Sequence, residues 1–180
     1  MNEAEHSAYQ DSVIEGGSAD PATIDALIAD LGTKDGLVRE RARQSLVAIG
    51  APAVVPLIEA LADRNKQLRW EAAKALAQIG DPASAHTLVN ALEDEVFDVR
   101  WLAAEGLIAL GREALVPLLQ ALIERSDSIW LREGAHHVLH NLGLGDLKEV
   151  LRPLLAALED VEPSVEVPSA AESALEALTG

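Results

Sequence analysis

Residues 68–80 read LRWEAAKALAQIG. Wound as a helix of about 3.6 residues per turn, they bring Leu68, Ala72, Leu76 and Ile79 onto one apolar stripe. Trp70 projects about 160° away from that stripe, on the side where an amphipathic helix is polar. Thirty-one residues later, VRWLAAEGLIALG at 99–111 repeats the arrangement with Trp101. A helix with a misplaced aromatic, met twice at a fixed interval, points to a repeat.

Aligning the chain on itself yields five copies. Each has an aliphatic residue at i, usually Arg at i+1, a small residue at i+4, Leu at i+8 and Ile or Leu at i+11, with Gly at i+12 in the first four. The anchors are Val38, Leu68, Val99, Leu131 and Val167, spaced by 30, 31, 32 and 36 residues. A shorter apolar pattern precedes each copy: ATIDALIADL, AVVPLIEAL, ASAHTLVNAL, ALVPLLQAL and EVLRPLLAAL. Each unit is therefore a helical hairpin, an A helix and then a B helix. Gly50, Gly80, Gly111 and Gly143 supply the residue a helix C-terminus prefers. Pro21, Pro52 and Pro82 mark A-helix starts, with Asp20 and Asp81 as N-caps before the first and third. Pro56, Pro117 and Pro153 sit deeper and are expected to kink or delay their helices. No alternating strand pattern occurs, so the fold class is all-α. A lone hairpin cannot bury its stripe. The expected architecture is a right-handed α-α superhelix (α-solenoid) of about five hairpins, with B helices lining its concave side.

Composition limits the function. Hydrophobic residues make up 49% of the 180 but aromatics only 3%, so Ala and Leu must fill the core. Without cysteine there is no disulfide framework, thiolate metal site or cysteine nucleophile. A net charge of −16 argues against nucleic acid as partner, because phosphate contacts need clustered Lys and Arg. The acidity sits at the ends: residues 1–36 hold 8 acids and 1 base, residues 149–180 hold 7 and 1, and the middle 15 and 12. The first residues lack the basic and apolar regions of a signal peptide, and no apolar run of membrane-spanning length is expected. The chain reads as a soluble cytoplasmic protein with no membrane partner. Residues 1–19 are expected to be a disordered acidic tail and residues 20–180 one repeat domain.

The units lack the TPLHxA signature of ankyrin repeats and the Trp-Leu-Gly-Tyr signature of tetratricopeptide repeats. VRxxAAxxLxxLG and GDPASA instead resemble the short HEAT-like repeats named after phycobilisome lyases, over roughly residues 20–180. That resemblance implies that Arg39, Arg69, Arg100 and Arg132, at i+1, pair with a carboxylate or helix-terminal carbonyl of a neighbouring unit. Asp35 and Asp98 are candidate carboxylates, Asn65 stands at the matching place, and the last unit has Pro168 instead of Arg. Deoxyhypusine hydroxylases are arrays of similar repeats in which His-Glu dipeptides bind a di-iron centre. No His-Glu dipeptide exists here, and Trp70 occupies the ligand position before Glu71, which excludes that activity. No catalytic signature is present, so a non-enzymatic protein without a cofactor is expected.

The working surface follows from the positions opposite the core stripe. Row i+2 is Glu40, Trp70, Trp101, Glu133, Ser169; row i+6 is Gln44, Lys74, Glu105, His137, Ser173; row i+9 is Val47, Ala77, Ile108, His140, Glu176. Small Ala73, Ala77 and Ala104 flank the indoles, and Trp130 extends the edge. The candidate site is Trp70, Trp101, Lys74, Glu105, Ile108, Trp130, Glu133, His137 and His140. Trp is the residue type most enriched at binding hot spots, so the expected role is a scaffold or assembly factor that binds a protein or peptide segment. The competing structural reading folds both indoles over neighbouring helices as a cover for the core. Two further functions stay open. A bilin lyase subunit-like protein, implied by the resemblance, would hold an open-chain tetrapyrrole in the aromatic groove with His137 or His140. A metal-binding protein would use His136, His137 and His140 on their one helix, with Glu133 four residues before His137.

Overall fold

The computed structural model describes residues 20–142 and 145–180; the expected disordered tail at 1–19 and the Gly143 cap lie outside the described residues. The helices are α1 (Pro21–Leu31), α2 (Gly36–Ile49), α3 (Ala51–Ala60), α4 (Lys66–Ile79), α5 (Ala85–Ala91), α6 (Phe97–Leu110), α7 (Leu115–Glu124), α8 (Ile129–Asn141), α9 (Lys148–Leu158) and α10 (Pro163–Thr179). Odd-numbered helices are the A helices and even-numbered ones the B helices. No strand occurs among the described residues. The B helices α2, α4, α6 and α8 stack side by side, and each of the first three A helices packs on the B helix of its own unit. The fold is an all-α solenoid.

The repeat pattern is the packing pattern. Ala42, Ala72, Ala103, Ala135 and Ala171, the small residues at i+4, are at most 2% exposed, and Leu46, Leu76, Leu107 and Leu139 at i+8 at most 1%. Alanine at the helix crossing lets backbones approach, and leucine one turn later fills the space between units. Gly106 serves the same closeness, because a Cβ there would lie 3.0 Å from a Leu88 methyl and 3.4 Å from the Ala77 Cβ. Gly50 and Gly111 end α2 and α6 with φ of 72° and 64° and ψ near −130°, a region that side chains rarely enter.

Caps and prolines correct several expectations. The Asp20 side chain makes no cap hydrogen bond; its carbonyl accepts from the amides of Thr23 and Ile24. Asp81 caps the 3-10 turn Pro82–Ser84, which precedes α5, by accepting from the Ala83 amide at 2.9 Å. Pro117 falls in the first turn of α7, behind the 3-10 turn Gly111–Ala114, so the α-helix is delayed. Pro56 and Pro153 lie inside α3 and α9, and both helices continue through them.

Arg39 and Arg69 pair with a carboxylate of the neighbouring unit as expected, but the acids are not the two candidates, and all four arginines also bind within their own unit. Arg39, Arg69, Arg100 and Arg132 each donate to the carbonyl six residues back in their own unit, those of Thr33, Asp63, Asp94 and Ser126. Their side chains thus close the turn between the A and B helices. Neither Asp35 nor Asp98 serves as the carboxylate. Asp35 caps α2 through the Leu37 and Val38 amides, and Asp98 is exposed in the first turn of α6, where a carboxylate suits the helix dipole. Across units, Arg39 reaches Glu71 at 3.1 Å and Arg43 joins the same carboxylate, while Arg69 grips both Asp94 oxygens at 2.7 and 3.1 Å. Those hydrogen bonds to Asp94 hold the Arg69 pKa above its ordinary value, against the opposing effect of burial. A raised basic pKa contributes stability that is fully present below the ordinary arginine value, so the Arg69 guanidinium stays charged throughout the working pH range. Asn65 caps α4 through the Gln67 amide and donates to the Gly32 carbonyl of the preceding unit.

The fifth hairpin departs from the array. Instead of stacking beside α8, α10 packs against α7 and α9. The sequence of α7 explains it: Leu115, Pro117, Leu118, Leu119, Ala121 and Leu122 are all buried, more apolar surface than one stripe can hide. The 17-residue α10 covers the excess. Ser169, Ser173 and Glu176 therefore do not prolong the B-helix rows. One stretch, Phe97–Glu124, does have the length and hydropathy of a membrane span, contrary to expectation. It comprises α6, a turn at Gly111 and α7, and 56% of its most apolar window is buried.

Candidate functional site

The outer side of the B layer carries the predicted residues, and each outward indole has a separate companion. Trp70 on α4 is half-buried and packs against the core, with the Lys74 ammonium 4.8 Å from its ring centre. Trp101 on α6 is 49% exposed. Its ring lies 4.8 Å from the His137 imidazole of the next unit, the planes inclined by 41°. The far edge of that imidazole meets Glu105, Nε2 to Oε1 at 3.3 Å, and Asn141 donates to the His137 carbonyl at 2.8 Å. One carboxylate and one indole on α6 thus frame a histidine on α8. Among the described residues Trp70 and Trp101 make no ring contact with each other.

Trp130 belongs to another cluster. It is 44% exposed, and the Arg100 guanidinium lies 4.5 Å from its ring and 5.5 Å from that of Phe97. A cation over an aromatic face is attracted by the ring quadrupole, so Arg100 couples α6 to α8 where Arg39 and Arg69 use a carboxylate of the next unit. Phe97 escaped sequence reasoning, although its place two residues before an anchor, in an aromatic-poor chain, is the signal that finds it.

The remaining candidates divide. Glu133 and His140 are exposed, whereas Ile108 is half-buried against the core. His136 turns to the other flank of α8, 3.0 Å from Glu159, with the His140 ring 6.0 Å away. The two imidazoles His136 and His137 therefore serve carboxylates on different elements. No group of three or more His, Asp or Glu is placed to hold a metal ion among the described residues.

A cleft of 280 Å³ opens between α5 and α7, on the A-helix side. His86, Asn90, Gln120, Glu124 and Arg125 line it, and Arg125 binds Asn90 at 3.1 Å and Glu93 at 2.7 Å. Sequence reasoning did not single out this cleft. Asn90 and Gln120 sit singly within apolar runs, and only helix stacking brings the lining residues together.

Comparison with known families agrees with the repeat fold. A family model for HEAT repeats matches residues 54–140, and one for the PBS lyase HEAT-like repeat matches residues 38–63. No curated protein matches the chain. Matched repeats and stacked hairpins coincide from α2 to α8, and the chain is a HEAT-like repeat protein.

Proposed function

We propose that the protein is a non-enzymatic scaffold or assembly factor that binds a protein segment on the outer side of its B layer, with Trp101 as the central anchor. The observation that carries this reading is the half-exposed indole of Trp101, fixed in orientation by His137 and Glu105. A large rigid side chain held half in water at a place the core does not need is what a binding hot spot requires. Trp70 and Lys74 form the neighbouring wall, and Glu133 and His140 the polar rim. Trp130, clasped by Arg100, stabilises the edge of the surface.

Peptides selected from a random displayed library on the immobilised protein test the proposal. Sequences retained by the native chain and lost on Trp101→Ala, with that variant unfolding at the native temperature, are the expected result. Peptides retained equally by both would place binding elsewhere. A shifted absorbance band on adding an open-chain tetrapyrrole, lost in the same variant, would make the alternative ligand the better reading.

A further inference from the structure

We propose that the partner segment is basic and amphipathic, with its apolar side chains on the two indoles and its cationic side chains on Glu40 and Glu133. This rests on the binding surface proposed above and names its ligand chemistry. Glu40, Trp70, Trp101 and Glu133 occupy one register position on the stacked helices α2, α4, α6 and α8. The row thus reads acid, indole, indole, acid. Of the other carboxylates of these four helices, Glu71 is engaged by two arginines and Glu105 by His137, while Asp98 lies in the first turn of α6, outside the row. Glu40 is exposed and meets only the neutral amide of Gln44, at 3.4 Å, and Glu133 is exposed without a hydrogen-bonding or ionic partner among the described residues. Two uncompensated charges therefore flank the aromatic pair.

Lys74 is the only Lys or Arg in rows i+2 and i+6 of these four helices, and it sits over Trp70. A partner cation is repelled there and drawn to the two ends. The net charge of −16 draws a cationic segment toward the protein and opposes an acidic one. Neighbouring helix axes lie about 8–10 Å apart. An extended polyproline-type chain advances about 9.3 Å every three residues, so side chains at every third position match the row.

The test uses three synthetic peptides, KPSLPSLPSK, EPSLPSLPSE and KPSSPSSPSK, with affinity read by fluorescence anisotropy. The Lys-Leu peptide is expected to bind best. Glu40→Gln combined with Glu133→Gln should weaken it by about tenfold, as two exposed ion pairs are lost. Glu172→Gln, which removes an exposed acid on α10 away from the row, should change nothing, and Trp101→Ala should abolish binding. If the Glu-Leu peptide binds as well and still requires Trp101, the charge assignment falls while the binding surface stands. An equal effect of Glu172→Gln and the double variant, or equal binding of the Ser-containing peptide, would reduce the attraction to bulk charge and overturn the proposal. Binding by no peptide, or binding indifferent to Trp101, removes both the proposal and the surface it rests on.

Discussion

Trp70 and Trp101 hold the same register position but differ in burial, and so in what their loss costs. Trp70 packs against the core, so Trp70→Ala should destabilise by about 3 kcal/mol. Trp101, half in water, should cost under about 1 kcal/mol, and thermal unfolding of the two variants separates them. That both indoles leave the core stripe was legible in the helical angle. How deep each lies was not, because Lys74 and the neighbouring helices decide it. The arginines show the same limit. Their repetition betrayed a structural duty and the resemblance implied a neighbouring-unit carboxylate, yet which acids serve Arg39 and Arg69, Glu71 and Asp94, is decided only by stacking. Glu71→Ala should cost about 3–5 kcal/mol in denaturant unfolding, since it leaves Arg39 and the 10%-exposed Arg43 without their carboxylate. Replacing Glu95, whose side chain is 78% exposed, should change stability by under about 1 kcal/mol.

Among the elements, helices were the most legible part of the chain, because apolar period, proline and glycine all mark the same boundaries. Side-chain caps were less so: Asp20 has the right type and place but leaves the work to its backbone. Close approaches of helices were invisible, since a glycine inside a helix reads only as a weak helix former. Gly134 of α8 is such an approach. A Cβ there would meet three Leu92 carbons at 2.9, 3.2 and 3.3 Å, one of them the Leu92 Cβ, which cannot swing aside. Gly134→Ala should therefore lose about 1–3 kcal/mol despite alanine's better helix propensity, with the loss read from the denaturant midpoint. Gly106→Ala meets mainly the methyl ends of Leu88, and its loss should be smaller.

On the scale of the whole molecule, the count of five hairpins was legible and the seat of the last one was not. Periodicity tells which face a helix buries, whereas the surplus apolar surface of α7 decides that α10 lies against it rather than beside α8. A chain ended at Leu142 lacks this cover. It should bind a hydrophobic dye and unfold at a lower temperature than the full chain, and an unchanged transition would mean that α9 and α10 are dispensable to the core. The ion cluster of Arg39, Arg43 and Glu71 acts at the same scale. The position Glu71 holds in the second unit is taken by Leu102 in the third and Gly134 in the fourth. If the first unit slipped onto the wrong neighbour, within one chain or by exchange between two, both guanidinium groups would face hydrocarbon or an empty place. Near-identical building blocks are thereby told apart at this junction, where one buried carboxylate accepts the first unit and no other position of the array offers it a substitute.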